Sequence, residues 1–237
     1  MKRRFVYVLA FLSFLGMFCP DAYSLEIAQI KRILISQDAS RIEEILSSGV
    51  DINSYDENGN TLLFYTLTHN ENLEFAKILI ENGADVNLPS TNGMTPLVLT
   101  VSLAKEIEKN QNGVLAPGNY KRQAKMAEES RYQMEHMQKI MELLLNNGAD
   151  VNQETPYGTP LMVASTSELN LNMIELLLSS GANVNQQDQN GRTALFYASA
   201  YNNDNVVTRL LKAGASIHIL DNERQSYMEM DENSFSK

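Results

Sequence analysis

Apolar residues along this chain come in short bursts at a recurring interval. Five of the bursts run into a glycine: IEEILSSG, AKILIENG, MELLLNNG, IELLLSSG and VTRLLKAG, ending at Gly49, Gly83, Gly148, Gly181 and Gly214. The glycines are separated by 34, 65, 33 and 33 residues. After two of them the chain spells the same word, GADVN; after the others it reads GVDIN, GANVN and GASIH. A second burst lies inside each period: GNTLLFYT at 59–66, GMTPLVLT at 93–100, GTPLMVA at 158–164 and GRTALFYA at 191–198. Self-similarity at a fixed period decides the fold before any other reading.

Each letter of the repeat has a physical role. Thr61, Thr95, Thr159 and Thr193 are placed to cap a helix start, where a hydroxyl accepts from the free amides of the first turn. Pro96 and Pro160 follow at the position where a missing N–H costs nothing. A second helix ends in Leu/Ile pairs, and the glycine after it takes the left-handed conformation that side chains resist. Ile52, Val86, Val151, Val184 and Ile217 pin the returning loop to the core. Asn53, Asn87, Asn152 and Asn185 are expected to start a tight turn, each bonding its own backbone. One such unit cannot bury its apolar face alone, whereas stacked neighbours can. The repeat therefore predicts an all-α solenoid of helix-turn-helix units.

This pattern resembles the ankyrin repeat, with its period of about 33 residues and its T-P-L-H-x-A signature. The chain departs at one letter: where that family favours His, it has Phe64, Val98, Met162 and Phe196. Apolar packing is expected there in place of imidazole hydrogen bonds, in a divergent branch expected to be bacterial. The resemblance implies an N-terminal helical cap at 25–55 and repeats at 56–89, 90–153, 154–187 and 188–220. A C-terminal cap and polar tail follow at 221–237, where Ser226-Tyr227-Met228 stands in the T-P-L place.

The spacing of 65 marks about 31 extra residues in the second repeat. No T-P-L word stands near 126–131, which reads MAEESR, so an insertion at about 104–138 fits better than a hidden repeat. The first helix runs on through TPLVLTVSLAKEIEKN, a QNGVLAPGN turn follows, and a helix over about 120–146 reaches roughly 40 Å. The prediction is an antiparallel helical hairpin. Met126, Met134, Met137 and Met141, with Tyr132 and Ile140, form either its seam or a docking surface.

Composition adds a compartment. Lys2, Arg3 and Arg4 precede the uncharged run FVYVLAFLSFLGMF, and Ala22-Tyr23-Ser24 offers a cleavage site. Residues 1–24 read as a signal peptide cut after Ser24. The apolar run is shorter than the roughly 20 residues a spanning helix needs. Twin-arginine and lipoprotein readings of Arg3-Arg4 and Cys19 are weaker. The expected destination is the periplasm or the outside of the cell. Cleavage moves the formal charge from −10 to about −12, a surface that repels nucleic acid and anionic membranes. Cys19 is the only cysteine, so the mature chain has neither disulfide nor thiol chemistry.

Candidate chemistry is sparse. His69, His136 and His218 fall in different units, without metal-ligand spacing. The Asp51–Gly59 stretch fails the calcium-loop spacing, and no phosphate loop, nucleotide fingerprint or nucleophile elbow is present. No enzyme activity, cofactor or metal is expected. The resemblance implies instead a protein partner, bound on the concave face of turn tips and first helices. A monomer is expected, and the acidic charge argues against nucleic acid and, after signal cleavage, membrane as partners. Letters that vary while the frame stays fixed are the candidates. They are Glu57, Asn58, Asn60, Thr68 and His69; Thr91, Asn92 and Met94; Thr155, Pro156 and Tyr157; and Gln189, Asn190, Arg192 and Tyr201. Tyr157, Arg192 and Tyr201 lead, because Tyr and Arg dominate interface hot spots. Two alternatives stand beside an exported binding module. One is a protein delivered beyond the producing cell, into a host. The other is an enzyme with its site between hairpin and stack.

Overall fold

The computed structural model describes residues 51–68, 73–111, 120–167, 171–223 and 225–226. The expected signal peptide, most of the N-terminal cap, His69 and the polar tail lie outside the described residues. Within them the chain forms eight helices: α1 (Leu62–Thr68), α2 (Leu73–Glu81), α3 (Pro96–Gln111), α4 (Tyr120–Asn146), α5 (Pro160–Ala164), α6 (Leu171–Ser179), α7 (Ala194–Ala200) and α8 (Asp204–Lys212). First helices pack in one row, α1 on α3 on α5 on α7, and second helices in another, α2 on α4 on α6 on α8. This is the stacked, all-helical architecture that the repeat predicts.

Both helix-boundary signals work as expected. The amides of Phe64, Val98, Met162 and Phe196 donate to the hydroxyls of Thr61, Thr95, Thr159 and Thr193 at 3.2, 3.3, 3.3 and 3.4 Å. At the other end Gly83, Gly148, Gly181 and Gly214 hold φ between 87° and 94°. That lets the next amide turn back, so Ala84, Ala149, Ala182 and Ala215 donate to the carbonyls of Leu79, Leu144, Leu177 and Leu210 at 2.9–3.0 Å. The same four leucines are fully buried, one per unit in matching register. Each contributes roughly 1.5–3 kcal/mol through the surface it removes from water.

The repeated asparagines do something other than expected. Their side chains bond the next unit's backbone, not their own. Asn53 Nδ2 donates to Gly83 O at 3.1 Å while its Oδ1 accepts from Asp85 N at 2.8 Å. Asn87 does the same to Gly148 O and Asp150 N at 2.9 and 2.7 Å, Asn152 to Gly181 O and Asn183 N, and Asn185 to Gly214 O and Ser216 N. The tight turn is made by the residue two places earlier. Asp51, Asp85, Asp150 and Asn183 accept from the amide of the following Asn. A carboxamide suits the ladder because it both donates and accepts.

Two long helices, α3 and α4, stand where the insertion is expected, and they pack on each other. Met137, Ile140 and Met141 are buried at the stack end of α4. Farther out, Met126 is 37% and Tyr132 57% exposed, so the methionine row is a seam over only part of its length. The hairpin also leans on later units: Lys105 on α3 donates to the Thr166 hydroxyl at 2.6 Å and lies 5.1 Å from the centre of the Tyr201 ring.

Candidate interaction surface

Before each first helix the chain makes a tip closed by its own polar side chains. In the first unit Asp56 N donates to Asn60 O and Gly59 N to Asp56 O, both at 2.9 Å, while Asp56 Oδ1 accepts from the amides of Asn58 and Asn60 at 2.8 Å. Asp188 arranges the fourth tip identically through Asn190 and Arg192, and Asp221 a further one through Glu223 and Gln225. In the second unit Ser90 takes this place, with Asn92 Oδ1 accepting from the Ser90 hydroxyl and from Met94 N. The third tip is one residue shorter. Thr155 and Gly158 close it directly, Gly158 N donating at 2.9 Å and the Thr155 hydroxyl at 2.7 Å. Neighbouring tips are joined where Thr91 N donates to Gly59 O and Asn222 N to Asn190 O, both at 2.9 Å.

The predicted candidates distribute over this frame. Glu57, Asn58, Thr91, Asn92, Gln189 and Asn190 stand exposed on the tips, with Asn60, Met94 and Arg192 half-buried at their bases. Tyr157 is 47% exposed on the short tip and Tyr201 54% exposed after α7. Thr68 is exposed at the end of α1, and Pro156 packs toward Gly93. Arg192 is engaged within the stack. Its Nε lies 3.8 Å from the buried Asp221 carboxylate and its guanidinium 5.2 Å from the Phe196 ring centre. Tyr201 likewise supports the Lys105 ammonium.

A row of residues absent from the sequence-based candidates lies on the first helices themselves. Tyr65, Leu99, Val163 and Tyr197 each stand four positions after the capping threonine and donate their amides to its carbonyl, so they share one helical register. Tyr197 fixes the direction of that register, since its hydroxyl reaches the tip and donates to Asp188 Oδ2 at 2.6 Å. Burial, with the Asp188 carboxylate accepting from the phenol and repelling a phenolate, pushes Tyr197 up to about 12; nearby Arg192 partly offsets this. Leu99 is buried in the core and Tyr65, Val163 and Tyr197 are partly buried against it, so the row is core packing that reaches a tip through Tyr197. The row is readable as the fourth letter after each threonine, and its pattern reads as the core packing it is. Lys105 gave no signal, because its partners lie 61 and 96 positions away. Among the described residues no group of three His, Cys, Asp or Glu side chains could hold a metal ion.

A family model for ankyrin repeats matches residues 33–109 and 132–221, leaving out much of the hairpin. Among curated proteins, the chain is similar to an ankyrin repeat protein of fowlpox virus (strain NVSL). The two are 26% identical over 148 residues, 60% of this chain and 19% of the viral protein. It is also similar to ankyrin repeat protein 14 of vaccinia virus (strain Western Reserve), 36% identical over 58 residues, 24% of either chain. The chain thus spans about a fifth and a quarter of these relatives' lengths. Capped first helices, glycine-closed second helices, stacked tips and a match over more than half of the residues converge: the chain belongs to the ankyrin repeat family.

Proposed function

We propose that this protein is an exported, non-catalytic module that binds another protein across its tips and first helices. The observation that carries this reading is the line of exposed tips joined by Thr91 N to Gly59 O and by Asn222 N to Asn190 O, with Tyr157 and Tyr201 exposed beside them. The family's general use as an interaction domain supports it. Export rests on the basic, apolar and small-residue succession of residues 1–24. Fractionation of the producing cell, with mass spectrometry of the mature N-terminus, tests the compartment; a chain retaining residues 1–24 in the cytoplasm overturns it. Pull-down from the matching extract tests the surface. Binding should fall in the Tyr157→Ala and Tyr201→Ala variants and survive deletion of 104–138. Loss only on that deletion would move the site to the hairpin.

A second reading has the protein acting beyond the producing cell, on a host partner. The two viral relatives favour it. Recovery of the partner only from host extract, and never from the producer's own envelope, would select this reading.

A further inference from the structure

The tips carry a reactive dipeptide. Asn-Gly steps occur at 58–59, 82–83, 92–93, 147–148 and 190–191 among the described residues. In such a step the glycine nitrogen attacks the asparagine side-chain Cγ. The N–Cγ bond forms, the Cγ–Nδ2 bond breaks, and ammonia leaves with the proton from the glycine amide. Water then opens the resulting succinimide at either carbonyl, giving aspartate or isoaspartate. Glycine favours the reaction because no side chain hinders its nitrogen.

The nucleophile is held alike at all five steps. The glycine amides donate to the carbonyls of Asp56, Ile80, Ser90, Leu145 and Asp188 at 2.8–3.1 Å. The electrophile is not. Asn82 Nδ2 donates to Ile78 O and Asn147 Nδ2 to Leu143 O, both at 2.8 Å, which folds each carboxamide back along its helix, away from the following glycine. Asn92 is tethered through Oδ1 by Ser90 and Met94. Asn58 and Asn190 are exposed, and among the described residues their carboxamides have no hydrogen-bond partner. We infer that Asn58 and Asn190 are the sites at which the folded protein spontaneously deamidates.

The consequence falls on the proposed binding face. Either product adds a carboxylate to an already acidic chain, at the first and fourth tips. Isoaspartate also inserts a methylene into the main chain beside Gly59 and Gly191. Gly59 O and Asn190 O are the acceptors that join these tips to their neighbours, so the joints at both ends of the face are displaced.

The test is a time course on the purified mature chain at mildly alkaline pH, read by peptide mapping. The mass change of amide to acid and isoaspartate-specific methylation report each step separately, including 112–113, which lies outside the described residues. A parallel sample in concentrated urea removes the fold. The 58–59 and 190–191 peptides should convert several-fold faster than 82–83 and 147–148 when folded, and at similar rates in urea. Asn58→Gln and Asn190→Gln, whose longer side chains close the ring poorly, should abolish the fast conversion. Equal rates at all five steps in the folded chain would overturn the assignment. So would conversion confined to the urea sample.

Discussion

At the scale of single residues, the repeated asparagine is the joint between units. Asn87→Ala removes one bond to Gly148 O and one to Asp150 N, at positions that water can reach. The expected loss is about 1–2 kcal/mol, read as a lower urea midpoint with an unchanged slope. Asn87→Asp should fall between, because a carboxylate accepts from Asp150 N but donates nothing to Gly148 O. Tyr197 gives a second residue-level prediction. Its folded-state pKa of about 12 stands above the ordinary 10.0, so the folded chain holds that proton more tightly. The stabilisation is complete below pH 10 and is lost as pH rises through 12. An ultraviolet titration of the 10 tyrosines should show a late-ionising one, and Asp188→Asn should bring it down. Much at this scale was legible in the sequence. Capping threonines and left-handed glycines act within a few residues of themselves, so their local pattern reveals them. The target of Asn87 was not legible, because it lies 61 residues along the chain and depends on stacking.

At the scale of elements, the hairpin divides into a packed base and an open end. Met141 is fully buried where α4 joins the stack, and Met141→Ala should cost about 2–5 kcal/mol. Tyr132→Ala, on the open part of the same helix, should change stability by no more than about 0.5 kcal/mol. Denaturant unfolding of both variants checks the pair; similar losses would mean that the outer hairpin packs as tightly as its base. The helices themselves were predictable from their long run of helical residues. Where the seam stops was not, because methionine occupies buried and exposed helix positions alike. Lys105 belongs to the same blind spot. Only the stacking of α3 on α5 and of α5 on α7 brings it to Thr166 and Tyr201.

At the scale of the whole molecule, each unit packs on its neighbours in two rows, so disturbances should stay local. Asn152→Ala cuts the joint between the second and third units. Hydrogen exchange should quicken most in α4 and α6 and least in α1 and α2; a uniform increase would show a single all-or-none block instead. The solenoid was readable because five registered glycines repeat one local instruction. The exposed tips were readable because their letters vary while the frame stays fixed. The joints also explain how the second unit tolerates its excursion. Asn87 holds Gly148 and Asp150 at 2.9 and 2.7 Å, and Asn53 holds Gly83 and Asp85 at 3.1 and 2.8 Å, though one connection loops through twice as much chain as the other. The seam between a unit's two helices is thus a graft port: foreign sequence can enter there, and the scaffold on either side keeps its pitch.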